Sequence, residues 1–297
     1  YFTDQGTGKI MWSERSWDYS VGGITPSKIY MLEFHVDAGA ITDPFPLAPR
    51  VLLEEPVDFG NIYDPDLSPD GEKFIVSAYE SGETEGYIWE FDIPDSGPVA
   101  IGAGREVAHL VTNDQGLEQA TFYGPLYGLS DQRKRVYFGF DYPDRKFAFV
   151  EELPDGSWSA PVLVAERAEG DISPGSIGLW DFGDGLKEVM ALSRSTGGNG
   201  AIEILDIDSC VDNPGADGCV VLDNIVGWRS ASFTTITDDG PLPAMLYLFD
   251  VDARNVGYSI RECKLDIAYL SDNECYRTVI DGIKNPQRTL YGVDSAD

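Results

Sequence analysis

The segment Ser68-Pro69-Asp70-Gly71 constrains this chain more than any other, because it is a tight turn set between two β-rich runs, near Ile62–Leu67 and Lys73–Tyr79. Proline presets one turn position, an Asp side chain caps the turn, and glycine takes the positive φ that other residues resist. One hairpin says little about a fold. Weaker versions of the same turn follow at Asp131-Gln132, Asp184-Gly185 and Asp239-Gly240, separated by roughly 53 to 61 residues, close to the period of architectures that spend one small sheet on each repeat.

Each repeat shows the same succession: an apolar run into the turn, a β-rich strand after it, a second strand, and a short Val/Leu strand before a polar connector. The second unit predicts strands near 62–67, 73–79, 87–92 and 107–112, and the third near 121–129, 135–140, 146–151 and 161–164. The fourth predicts 177–182, 187–192, 201–206 and 219–222, and the fifth 229–236, 243–249, 256–261 and 277–280. The N-terminal unit has only three, near 9–12, 28–36 and 50–53, while an orphan strand remains around Arg288–Val293. Pairing that last strand with the first unit would leave no open edge. The expectation is therefore an all-β chain, residues 1–297 forming a single β-propeller. Its blades fall at 1–54 with 288–293, 55–112, 113–165, 166–222 and 223–280. Six blades is the alternative if two units have been merged. Helical periodicity is weak throughout.

Ser68-Pro69-Asp70-Gly71 followed by Glu72-Lys73-Phe74-Ile75-Val76 resembles the TolB-like, WD40-like repeat of bacterial propellers, and the motif decays to Leu129-Ser130-Asp131, Phe182-Gly183-Asp184-Gly185 and Thr237-Asp238-Asp239-Gly240 in the other units. Members of that group include periplasmic scaffold proteins, peptidase propeller domains and polysaccharide-degrading lyases, so the resemblance implies a fold rather than an activity.

Acidic residues outnumber basic ones by 51 to 21, giving a formal charge of -30. That field repels nucleic acid and anionic lipid, which removes both as expected partners, and it suits solubility in salty water. No apolar run is long enough to insert in a membrane. Cys210 and Cys219 flank one polar loop and Cys263 and Cys275 another. Two local bridges are the simplest pairing, although four cysteines permit three connectivities. Disulfides imply an oxidising compartment, periplasmic or extracellular. The opening at Tyr1, without Met or an apolar leader, is what a processed chain is expected to show.

Asp66-x-Ser68-x-Asp70-Gly71 opens like an EF-hand loop, but Lys73 and Ser77 stand where that loop wants an apolar residue and a bidentate glutamate. A plain hairpin is the expectation there. Asp206, Asp208, Asp212 and Asp217 make a more oxygen-rich loop, the weak candidates for calcium; no other cofactor is expected. His35 and His109 lie on strands without the neighbours that nucleophilic catalysis needs, and Gly102-Ala103-Gly104-Arg105 lacks the third glycine of a dinucleotide fingerprint.

Connectors in a propeller gather the openings of the inner strands around the channel mouth. Those openings carry Trp17, Asp18, Tyr63, Asp64, Phe122, Tyr123, Ser173, Ser176, Trp228 and Arg229. Aromatic faces beside carboxylates and an arginine suit sugar rings, and the competing reading of the aromatics is packing between sheets. Asp18 and Asp64 are the first choice if two carboxylates act as acid and base on a glycosidic bond. The expected function is a binding or scaffold module for a glycan, peptide or protein partner, with membership of a larger assembly part of that expectation. The alternative is a carbohydrate-active hydrolase or polysaccharide lyase.

Overall fold

The computed structural model describes residues 6–14, 17–18, 23–24, 27–37, 40–43, 47–54, 59–80, 85–111, 122–130, 133–140, 145–167, 171–181, 185–196, 199–211, 220–226, 230–233, 245–252, 257–264 and 277–280. The turn that opened the sequence argument forms as the residue types require. Gly71 adopts φ 68° and donates its N–H to Ser68 O at 2.8 Å. The buried Ser68 hydroxyl donates to Asp70 Oδ1 at 2.6 Å and accepts from Lys73 N at 2.9 Å. Asp70 Oδ1 also accepts from Glu72 N at 3.0 Å, so this carboxylate serves the hairpin.

On either side of that turn, β7 (Phe59–Leu67) and β8 (Lys73–Glu80) begin a meander completed by β9 (Glu85–Asp92) and β10 (Arg105–Val111). The third sheet runs β11 (Phe122–Tyr127), β12 (Arg135–Phe140), β13 (Arg145–Glu151) and β14 (Val162–Arg167). The fourth is β15 (Asp171–Asp181), β16 (Leu186–Thr196), β17 (Asn199–Asp206) and β18 (Val220–Val226), and the fifth β19 (Ser230–Phe233), β20 (Met245–Asp252), β21 (Gly257–Lys264) and β22 (Arg277–Ile280). In the first sheet β1 (Thr7–Glu14) pairs with β4 (Lys28–Asp37), and β4 pairs in turn with β5 (Ala40–Ile41) and β6 (Arg50–Glu54). A separate hairpin joins β2 (Trp17–Asp18) to β3 (Gly23–Ile24). The strand order of sheets two to five is the succession expected from the repeat. The first sheet differs by the short β5, which the sequence did not announce. On the outer edge of β6, Leu52 O accepts from Val99 N at 2.7 Å. The strand expected near Arg288–Val293 lies outside the described residues.

The chain divides into two compact units. One comprises Tyr1–Tyr127, Arg135–Tyr142 and Val150–Pro161, the other Gly128–Lys134, Pro143–Phe149 and Val162–Asp297. The core of the first is drawn from Ile29, Met31, Leu52 and Leu53 of the first sheet and Ile62, Phe74, Val76, Ala78 and Phe91 of the second. Residues 74–78 of β8 are buried on both faces, which is why this strand reads as a continuous run rather than an alternating one. In the second unit the short helix α1 (Ile207–Val211) packs on β14 and β16. Asp206 caps it, Oδ2 accepting from Ser209 Oγ at 2.6 Å and Oδ1 from Ser209 N at 3.3 Å, the usual task of an N-cap carboxylate. Cys210 on α1 is fully buried and disulfide-bonded.

Gly104 follows a single 3-10 turn (Ile101–Ala103) and lies against the core. A Cβ there would stand 2.7 Å from two atoms of the Phe91 ring and 3.2 Å from Trp89, and Phe91 is stacked on Phe74 at 5.1 Å. The ring is buried and would have to shift, so Gly104→Ala is expected to cost about 1–3 kcal/mol through overpacking, read as a lowered urea midpoint. The equivalent change at Gly102, which meets nothing within 4 Å, is expected to be nearly silent.

Candidate functional site

Pro65 has no N–H to give to the β7–β8 ladder, and the register breaks around it: Tyr63 pairs with Ser77, but the next pair is Asp66 with Ile75. One extra residue is thereby accommodated in β7, a bulge that re-aims its side chains. Asp64, inside the bulge, adopts φ 50°, the one positive φ of a non-glycine among the described residues. The same device recurs in β11, where Tyr123 pairs with Gly139 and Leu126 with Tyr137, with Gly124 at φ 48° beside Pro125. It recurs again in β15, between Pro174 and Ser176.

In the first unit two of these bulged strands, β7 and β11, lie side by side. Gly124 N donates to Asp64 Oδ2 at 3.1 Å. Asp64 is exposed, and desolvation by the groups around its carboxyl raises it above the ordinary aspartate value, the Gly124 amide opposing in part. Strained backbone and a perturbed carboxyl at one residue are the physical marks of a working site.

Behind Asp64 runs a polar chain. Asp66 Oδ2 accepts from Tyr127 N at 2.7 Å, and the Tyr127 hydroxyl donates to Glu90 Oε1 at 3.0 Å. Burial first, and then the charge of Glu90, holds the Tyr127 phenol well above its ordinary value, so it remains a donor. Arg105 pairs with Glu90 and Glu152, donates to Gly156 O at 2.8 Å, and lies 4.9 Å over the Trp158 ring. These residues were missed from sequence. A charge at position 90, in phase with buried Ile88 on an otherwise alternating strand, was the available signal.

The other anticipated residues are distributed as follows. Tyr63 donates its hydroxyl to Phe122 O at 2.8 Å and meets Tyr79 edge-on at 5.7 Å, so at least part of this aromatic's role is packing between sheets. Tyr123 lies on β11 opposite Gly139. Trp17 and Asp18 form β2, opposite Ile24 and Gly23. In the second unit Ser173 lies on β15 opposite Ser193, and Ser176 is buried with its hydroxyl 3.4 Å from Ile177 O. Asp208 pairs with Arg133 at 3.3 Å. Cys263 lies on β21 opposite Leu246. Trp228, Arg229, Asp212, Asp217, Cys219 and Cys275 lie outside the described residues. No cluster of three or more His, Cys, Asp or Glu side chains suited to a metal occurs among the described residues. The two histidines are placed against neighbours: His109 stacks on Tyr87 at 4.4 Å and lies 3.3 Å from Glu85, and His35 Nδ1 is 3.1 Å from Asp43.

Neither a family model nor a curated protein matches this chain. Among solved structures it is similar to an α-L-arabinofuranosidase from Lactobacillus brevis, at 13% identity and TM-score 0.51, over 86% of this chain and 83% of that one. The fold is of the β-propeller class. Weaker likenesses are to the Bacillus subtilis arabinanase Arb43A (10% identity, TM-score 0.41, 68% of this chain and 72% of that one) and to a thermostable family-43 glycoside hydrolase (11%, 0.42, 78% and 74%). At such identities the likeness is one of fold alone.

Proposed function

We propose that this chain is a carbohydrate-active hydrolase in which the Asp64 carboxyl is the proton-donating group. The observation that carries the reading is the state of Asp64: strained on its bulge, reachable from solvent, and raised by burial with no cation beside it among the described residues. A carboxyl that holds its proton at a higher pH than usual suits protonation of a leaving glycosidic oxygen. The fold shared with an arabinofuranosidase adds weight to a glycan as the substrate class. Asp18 is the proposed second carboxylate, and Tyr63, Tyr123 and Trp17 the proposed sugar-facing aromatics. Work on a polymer outside the cell is consistent with the disulfide at Cys210.

The test is a panel of arabinans, other plant and microbial polysaccharides and aryl α-L-arabinofuranosides, scored for new reducing ends. The wild type is expected to release ends, and Asp64→Asn to release them at least about a hundredfold more slowly. An ultraviolet-absorbing unsaturated product would replace hydrolysis by elimination. Binding without cleavage across the panel would return the chain to the class of binding modules.

A further inference from the structure

We infer that Tyr63 and Asp66 are positioning residues for the Asp64 carboxyl, acting through β11. Among the described residues, hydrogen bonds link side chains of β7 to the backbone of β11 here. The Tyr63 hydroxyl donates to Phe122 O at 2.8 Å, Asp64 Oδ2 accepts from Gly124 N at 3.1 Å, and Asp66 Oδ2 accepts from Tyr127 N at 2.7 Å. Residues 63, 64 and 66 thus address 122, 124 and 127, in order along both strands. The two outer contacts grip β11 on either side of its own bulge, at Gly124-Pro125, and hold the Gly124 amide where it meets Asp64.

The arrangement depends on the bulges. Without the extra residue, side chains along β7 would alternate strictly between opposite faces of the sheet; with it, residues 63, 64 and 66 all reach the neighbouring strand. Gly124 at φ 48° turns its N–H toward Asp64, a backbone conformation that glycine adopts without cost. That amide is the one hydrogen-bond partner of Asp64 among the described residues, and it opposes the effect of burial on the carboxyl. Loosening either outer contact lets β11 withdraw, weakens the bond to the ionised form, and leaves Asp64 holding its proton to a higher pH. The grip thereby sets where the group titrates.

This inference rests on the proposed hydrolase only for its consequence in turnover; the titration itself needs no substrate. In the free protein, the amide proton shift of Gly124 followed against pH reports ionisation of Asp64, with Asp64→Asn as the assignment control. Tyr63→Phe leaves every charge in place and removes one contact, so the midpoint is expected to rise. Asp66→Asn removes a charge but keeps an oxygen to accept from Tyr127 N, whereas Asp66→Ala removes both. The Ala variant is therefore expected to titrate above the Asn variant. Exchange of the Gly124 amide with deuterium is expected to quicken in Tyr63→Phe and Asp66→Ala and to stay slow in Asp66→Asn. Folding of each variant is read from its far-ultraviolet dichroism. Coincident midpoints and unchanged exchange in folded Tyr63→Phe and Asp66→Ala would overturn the inference. A hydrolase assay in which Asp64→Asn remains active would overturn the proposed function and leave the titration result standing.

Discussion

Asp64→Asn is expected to give a protein that melts at a higher temperature than the wild type at neutral pH, while losing the proposed hydrolase turnover. The two effects have one cause. Burial raises the Asp64 carboxyl in the folded state, so over the window from the unfolded aspartate value, about 3.9, up to the raised folded value, the folded chain binds more protons than the unfolded one. Stability then falls as pH rises through that window, and above it the whole cost of holding the ionised carboxylate at this position is present. Asparagine carries no charge, keeps an oxygen that accepts from Gly124 N, and is among the residues that best tolerate the left-handed region at φ 50°. The gain is therefore expected to be largest at neutral pH and to vanish as the pH is lowered below the unfolded value.

The measurement is a pair of melting curves across pH for wild type and variant. Convergence in acid and separation at neutral pH fits a group kept against its own preference, the usual sign of a site where stability is spent on function. A variant less stable than wild type at neutral pH and equal to it in acid would mean that the ionised carboxylate stabilises the fold, and Asp64 would lose its chemical interest. Asp64→Ala makes the useful contrast, since alanine resists the positive φ and leaves the Gly124 amide without its acceptor.

How much of this was legible beforehand differs by residue. Strand order followed from Ser68-Pro69-Asp70-Gly71 and its echoes because turn chemistry is local, and the observed Ser68 and Asp70 bonds are the ones those residue types make. Asp64 was named from sequence, on the general expectation that inner-strand openings converge. Its distinguishing property was not foreseen, since a bulge depends on which residues the partner strand presents: Pro65 and Pro125 hinted at ladder breaks, but the left-handed turn of Asp64 is set by the pairing of Tyr63 with Ser77 and Asp66 with Ile75. Ser176, named by the same convergence argument, is buried with its hydroxyl 3.4 Å from Ile177 O. Glu90 and Arg105 were not named as site residues because the ion pairs that Arg105 makes with Glu90 on β9 and with Glu152 after β13 join residues far apart in the sequence.

Arg105→Ala is the variant expected to cost the fold most, about 3 kcal/mol and at the low end of the range for breaking a buried ion pair by removing one partner. The Glu90 side chain is 1% exposed, with one oxygen taken by the Tyr127 hydroxyl and the other facing the guanidinium. Removing the arginine takes its guanidinium away from that second oxygen, and Tyr127 cannot compensate, because a phenol has a single proton to give. The guanidinium is itself 35% exposed, so water follows into the vacated space and holds the loss near the lower figure. Arg105 also joins β10 to Glu152, Gly156 O and Trp158, contacts that an ammonium on a lysine stem cannot make together; Arg105→Lys is expected to recover only part of the loss. Glu90→Leu combined with Arg105→Met removes both charges, and a urea midpoint close to that of the wild type is the expected result. If the double variant is instead as unstable as Arg105→Ala, the guanidinium's stacking and its bonds to the segment after β13, rather than the rescue of Glu90, are what hold this corner of the first unit together.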